Sequence, residues 1–228
     1  MLSHTTNFSG AQSISRNVRF APPAACHTLT DSFEMMGAPM SFARNAEIYG
    51  ENEAAEYLYK LVSGTVRTSK ILNDGRRQIG EFYLPGDVFG LEVGNDHAFS
   101  AEAITEARVI VIKRSAVEAL AARDSDVARQ LWATTGRELQ RMQEHILLLI
   151  KSAQERVAGF LLEMSDRNKT TNEVELPMSR QDIADYLGLT IETVSRTLTI
   201  FEESAAIAMP SSRHIVLRNR TALRRLNA

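Results

Sequence analysis

Residues Ser179 to Phe201 read SRQDIADYLGLTIETVSRTLTIF, and this stretch decides the fold. Ser179 is placed to cap a first short helix carrying Ile183, Ala184 and Leu187, because a serine oxygen accepts from the free N–H groups of a first turn. Gly188 supplies the positive φ that a tight turn demands. Leu189 then buries, Thr190 caps a second helix, small Ala184 lets the two helices approach, and Val194 and Leu198 face inward. This order of alanine, glycine and apolar positions within about twenty residues is the pattern of a helix-turn-helix. A helix pair in a bundle without any nucleic-acid role would share it. The outward face separates the two readings: Glu192, Ser195 and Arg196 fall near the start of the second helix. There a carboxylate can accept from cytosine N4, and an arginine can pair with guanine O6 and N7 in a major groove.

Just beyond, Ile207–Met209 and Arg213–Leu217 read as two strands joined by Pro210-Ser211-Ser212, a wing beside the helices. Arg213, Arg218, Arg220, Arg224 and Arg225 follow with no acidic residue among them. Such a cluster is either a solvated face or a set of phosphate contacts, which anchor without specifying sequence. Net charge is only −2, so any nucleic-acid footprint has to come from local clustering of this kind.

Upstream of Pro177 the chain lacks proline back to Ser115 and is rich in Ala, Leu, Glu, Arg and Gln, which predicts long helices. Ala128, Trp132, Thr135, Leu139, Met142, Ile146, Leu149 and Ala153 recur at alternating steps of four and three. That spacing is an a/d seam, either packed on its own domain or half of a two-stranded coiled coil. Leu131, Leu147, Leu148 and Ile150 offer a second apolar face for the chain's own β domain. From about Phe33 to Ile112 short runs have β character: Tyr57–Val62, Val66–Leu72, Gln78–Tyr83 and Arg108–Ile112. Turn signals at Ser63-Gly64, Asn73-Asp74-Gly75 and Leu84-Pro85-Gly86-Asp87 separate them, which predicts a sandwich or barrel of jelly-roll type. The first thirty residues, rich in Ser, Thr, Asn, Ala and Pro, read as a mobile arm.

The composition, 44% hydrophobic and 24% charged, is that of an ordinary globular protein. No apolar run approaches the ~20 residues needed to cross a bilayer, and MLSHTTNFSG lacks the shape of a secretory signal, so a cytoplasmic protein without membrane partners is expected. Cys26 is the single cysteine, which excludes an internal disulfide and a cysteine-held iron–sulfur cluster. Of the histidines, His4 and His27 lie in the arm, His145 on the long helix and His214 in the wing, and all read as surface groups; His97 falls in the β domain. Gly64, Gly75 and Gly86 mark separate turns and form no phosphate-cradling loop. No catalytic constellation, metal site or cofactor site emerges.

The run Leu187-Gly188-Leu189-Thr190-Ile191-Glu192-Thr193-Val194-Ser195-Arg196 resembles the recognition segment of the cyclic-AMP-receptor/FNR family, whose FNR-type pattern is E-x-x-S-R. The order of β domain, long helix and winged helix-turn-helix is similar to that family across about residues 30 to 228, with the FixK-type branch nearest. The resemblance implies an α+β fold: an arm over 1–30, a cyclic-nucleotide-binding-like β-roll over 31–124, a dimerisation helix over 125–152 and a winged helix-turn-helix over 153–228. It implies a homodimer on double-stranded DNA that works with RNA polymerase, regulates, as an activator, low-oxygen or nitrogen-fixation genes and reads TTGA…TCAA palindromes.

By the same resemblance Ile191, Glu192, Ser195 and Arg196 would read bases, and Ser179, Arg180, Thr190, Thr193, Arg213, Arg218 and Arg220 would hold the DNA backbone. Trp132, Leu139, Met142, Ile146 and Leu149 would form the dimer interface. The cyclic-AMP branch carries an R-S-A motif whose arginine meets the cyclic phosphate, and here the place reads Phe99-Ser100-Ala101. Its adenine-facing Thr-Ser pair is replaced by Met142-Gln143. Neither cyclic nucleotide nor iron–sulfur cluster is therefore expected, while gating by another small molecule in the β-roll stays open.

Overall fold

The computed structural model describes residues 29–168 and 172–227. Helix α1 (Leu29–Met36) leads into eight strands: β1 (Ala38–Phe42), β2 (Glu47–Tyr49), β3 (Tyr57–Ser63), β4 (Val66–Ile71), β5 (Arg77–Tyr83), β6 (Val88–Phe89), β7 (Ser100–Ala103) and β8 (Ala107–Lys113). They form two antiparallel sheets of order β1-β8-β3-β6 and β2-β7-β4-β5. Tyr59, Leu61 and Val109 from the first sheet share one buried cluster with Tyr49, Val66 and Ala101 from the second, so the sheets pack face to face. This is the roll predicted from the regular spacing of short strands, and the four predicted runs fall on β3, β4, β5 and β8. The turn from β3 to β4 requires glycine: Gly64 has φ +87°, and a Cβ there would stand 2.2 Å from the Glu106 carbonyl oxygen.

Helices α2 (Arg114–Ala121) and α3 (Ser125–Leu149) follow. Asp124 caps α3 by accepting from the Asp126 and Val127 amides. The first turns of α3 are tied to the roll, because Val127 is buried with Leu58, Ile112 and Val117, and Leu131 packs against them. After Leu149 the chain breaks and restarts as α4 (Ala153–Arg167), because Ser152 and Glu155 form a capping box. The remainder is β9 (Glu173–Glu175), α5 (Arg180–Leu187), α6 (Ile191–Glu203), β10 (Ile207–Ala208), β11 (His214–Leu217) and α7 (Arg220–Leu226). Its core, with Phe160, Leu161, Ile183, Leu187, Val194, Leu198 and Ile215, runs without interruption into Ile79 and Phe82 of the roll. Phe82 lies 5.1 Å, ring centre to ring centre, from Tyr186 on α5.

Several expectations need correction. The chain around Phe33 is helical, with Phe33 inserted under the roll, whereas β texture was expected from that residue onward. The a/d spacing continues to Ala153, but α3 ends at Leu149 and Ala153 begins α4. Of the second apolar face, Leu131 and Leu148 do pack inward, while Leu147 and Ile150 are exposed. His145 is no surface group: it is partly buried and its ring lies against Tyr186. Residues 1–28 of the arm, with His4, Cys26 and His27, lie outside the described residues, and Leu29 and Thr30 open α1.

Candidate nucleic-acid interface

The two helices of the motif are set by their caps. Ser179 and Asp182 form a capping box at the start of α5, and Gly188 ends it at φ 61°, ψ 39°, the left-handed conformation in which a glycine costs least. Thr190 caps α6 by accepting from the Thr193 amide. Ala184, Val194 and Leu198 are buried between the helices, and Leu189 packs partly into the same core.

With Thr190 as cap, Ile191 and Ser195 are one turn apart, and so are Glu192 and Arg196, which puts all four on adjoining strips of the first two turns. All four are exposed. The Glu192 carboxyl is held below its ordinary range by hydrogen bonds from its own backbone amide and from the Thr190 side chain, and the N-terminal end of a helix favours such an anion. The face is thus a carboxylate acceptor and a guanidinium donor one turn apart, on a helix whose other side is locked into the core.

The wing is β10 and β11, as expected, and it has a third strand that sequence reasoning missed: β9 pairs with β11, placing Val174 opposite Ile215. Arg213 and Arg218, at the two ends of β11, are exposed. Two of the proposed backbone-holding arginines are engaged within the fold. Arg180 donates to the Ser212 carbonyl in the wing turn, and burial lowers the pKa of its guanidinium. Arg220 opens α7, a helix that sequence reasoning also missed, and binds Ser165 and Asp166 on α4.

On α3, Trp132, Leu139, Met142 and Ile146 are exposed, with Trp132 at 81%, while Leu149 is partly buried. These four exposed side chains make an apolar stripe along α3, at the spacing expected of a seam between two helices. Against the same part of α3 the roll opens a cavity of about 420 Å³, walled by Tyr49, Tyr83, Phe89 and Phe99 and closed by Leu139 and Met142. The charged residues lining it are Glu81, Glu92 and Glu138, all acidic. No cation is among the residues lining it, so a cyclic nucleotide's phosphate would find no charge partner there and the lining does not fit that group. Among the described residues, no helix is long and apolar enough to cross a membrane.

Comparison with known proteins agrees with this architecture over the matched residues. Residues 39–124 match the cyclic nucleotide-binding domain and residues 155–226 match the Crp-like helix-turn-helix domain. The chain is 56% identical to the nitrogen fixation regulation protein FixK of Azorhizobium caulinodans, over 85% of this chain and 80% of that protein. It is 41% identical to the FixK of Rhizobium meliloti, over 83% of this chain and 90% of that one. The solved structure of FixK2 from Bradyrhizobium japonicum superposes with a TM-score of 0.81 at 52% identity, covering 85% of this chain and 98% of that one. The chain belongs to the CRP/FNR family of transcription regulators, in its FixK-like branch.

Proposed function

We propose that the protein is a homodimeric activator of low-oxygen or nitrogen-fixation genes that reads TTGA…TCAA palindromes without cyclic AMP or an iron–sulfur cluster. The observation that carries this reading is the uncovered face of α6, where Glu192 and Arg196 stand one turn apart, ready to accept from a cytosine and to donate to a guanine. Ile191 and Ser195 complete the base-reading set, Ile191 against a thymine methyl. Ser179, Thr190, Thr193, Arg213 and Arg218 hold phosphates. Arg180 and Arg220 join them in holding phosphates while also bonded to the Ser212 carbonyl and to Ser165 and Asp166. Trp132, Leu139, Met142, Ile146 and Leu149 pair the two long helices, and RNA polymerase is the partner recruited. Relatives named as nitrogen-fixation regulators support the gene programme, and a single cysteine leaves no ligand set for a cluster. The protein acts in the cytoplasm and is not an enzyme.

The decisive experiment is selection of bound sites from random duplex DNA by the purified protein, repeated with cyclic AMP and with an iron assay. A TTGA-type palindrome, no iron and an affinity unmoved by cyclic AMP are expected. A tenfold gain with cyclic AMP, about 1.4 kcal/mol, or stoichiometric iron would overturn the reading. A second reading, favoured by the aromatic cavity against α3, is a regulator gated by an uncharged small molecule; a rise in DNA affinity on adding cell extract would select it.

A further inference from the structure

The helix-turn-helix is ion-paired to the roll through two carboxylates of α5, Asp182 and Asp185. Asp182, in the first turn of α5, is 4% exposed. One of its oxygens accepts from the Ser179 amide at 3.0 Å and hydroxyl at 2.8 Å. The other accepts from Arg67 on β4 at 2.8 Å and from Arg77 on β5 at 2.6 Å. Arg67 is itself held by Glu102 on β7, and Arg77 also donates to Asp185, one turn along α5, at 2.7 Å. Gln78 adds a hydrogen bond to the Tyr186 carbonyl. At the far end of β5, Arg167 from α4 donates to Glu81, Asp87 and the Phe82 carbonyl. The DNA-reading unit is therefore gripped at both ends of a single strand of the roll.

The grip coexists with a free reading face, because Ile191, Glu192, Ser195 and Arg196 are exposed while every one of these bonds is made. The clamp therefore does not cover the DNA-reading surface; what it constrains is the angle between that surface and the roll, to which the first turns of α3 are also fixed. In a dimer joined along α3, this angle sets the separation and tilt of the two recognition helices. A palindrome needs both at once, about one helical turn apart. The charged residues lining the roll's cavity are all acidic and offer a cyclic phosphate no partner, whereas the ion pairs of Asp182 fix the orientation within the chain itself.

We propose that Arg67 and Arg77 are positioning residues for DNA binding, holding Asp182 and Asp185 so that the two recognition helices stand at palindrome spacing without an effector. The inference rests on the DNA-reading assignment of α6. A head that loses the clamp samples several orientations, and its apparent affinity for a palindrome falls in proportion to the competent fraction. A single half-site makes no demand on the relative orientation of two heads. Removing the clamp therefore has a signature that loss of a base or phosphate contact does not share.

The test compares wild type with Arg67→Met/Arg77→Met and with the milder Arg77→Gln, on three duplexes: the selected palindrome, the same palindrome with two base pairs added at its centre, and an isolated half-site at low salt. The double variant is expected to bind the palindrome roughly tenfold or more weakly, to bind the half-site as wild type does, and to lose most of the preference for the native spacing. Arg77→Gln should show the same pattern to a smaller degree if the double variant fails to fold. Arg77→Lys, which keeps a cation beside Asp182 and Asp185, should retain most of the spacing preference that Arg77→Gln loses. Unchanged palindrome affinity and spacing preference would refute the proposal, as would an equal loss on palindrome and half-site by a folded dimer, which would place the arginines on the DNA itself. Failure of wild type to bind any palindrome would instead remove the DNA-reading assignment.

Discussion

The imidazole of His145 lies against the phenol ring of Tyr186, with ring centroids 4.0 Å apart and 49° between planes. The long helix thus touches the helix-turn-helix through a group able to carry charge. Burial pushes the His145 pKa down to about 4, and on the facing helix α4 burial, with the Glu81 charge, raises the Glu163 pKa to about 7. The two line the same groove between α3 and α4.

Their effects on stability run in opposite directions. His145, ordinarily near 6.5 when unfolded, is neutral in the fold down to about 4, so acidification through that window favours the unfolded chain. Glu163, ordinarily near 4.5, takes up its proton first in the fold, so stability is lost as pH rises from 4.5 to about 7. Wild type should show a shallow profile where the windows overlap. Glu163→Gln should lose less stability than wild type as pH rises from 4.5 to about 7, so that its profile tilts toward loss in acid. His145→Gln should lose less stability than wild type on acidification from about 6.5 toward 4. Denaturant midpoints at pH 4.5, 5.5, 6.5 and 8 test this, and profiles parallel to wild type would contradict it.

Ile146→Glu and Leu139→Glu should abolish the dimer while leaving the protomer folded, because both side chains are already exposed in the single chain. Palindrome binding should disappear with the dimer, since a monomer grips one half-site. Sedimentation and binding measured on the same samples decide it; a variant that stays dimeric and active would place the interface elsewhere.

Arg196→Ala should cost roughly 1–3 kcal/mol per half-site and flatten discrimination at one guanine. Glu192→Ala should relax preference at the neighbouring cytosine and raise affinity for unrelated DNA, because a carboxylate near phosphates is repulsive when its cytosine is absent. Arg218→Ala should instead weaken all sequences alike and reduce the salt slope by about one unit. Titrations over single-base variants at two salt concentrations separate these outcomes. Uniform weakening by Arg196→Ala together with altered base preference in Arg218→Ala would reverse the assignment.

Gly188→Ala should destabilise the protein by about 1 kcal/mol. The added methyl has room, its nearest neighbour being Arg156 Nη1 at 3.5 Å, so the cost comes from φ +61° and not from a clash. Gly188→Asn should cost less, since asparagine tolerates this conformation better. Equal midpoints for the alanine variant and wild type would contradict the backbone argument.

The motif at Ser179–Phe201 was legible because caps, glycine and buried positions there are all local: each residue's role depends on neighbours within a few positions. The same holds for β3, β4, β5 and β8, whose runs are bounded by turns. Strand β9 escaped notice because Val174 is its one buried residue and its partner lies some forty positions away on β11. Helix α7 was hidden behind its arginines, with Leu223 alone reaching the core. The clamp was invisible for a related reason: Arg67, Arg77, Asp182 and Asp185 look like solvated charges until the fold brings residues more than a hundred positions apart into contact. His145 was misread on the same ground, since nothing next to it in the chain announces Tyr186.

Trp132 is the protein's single tryptophan, and it stands almost fully in water on the apolar stripe of α3. The surface proposed to pair the two long helices therefore contains the molecule's only indole chromophore. Pairing of two such helices transfers that ring from solvent into a hydrocarbon setting, with a blue-shifted and brighter emission, while other tertiary changes leave it largely silent. Dilution followed by fluorescence alone would report the subunit equilibrium of the unlabelled protein, and would do so in the presence of DNA.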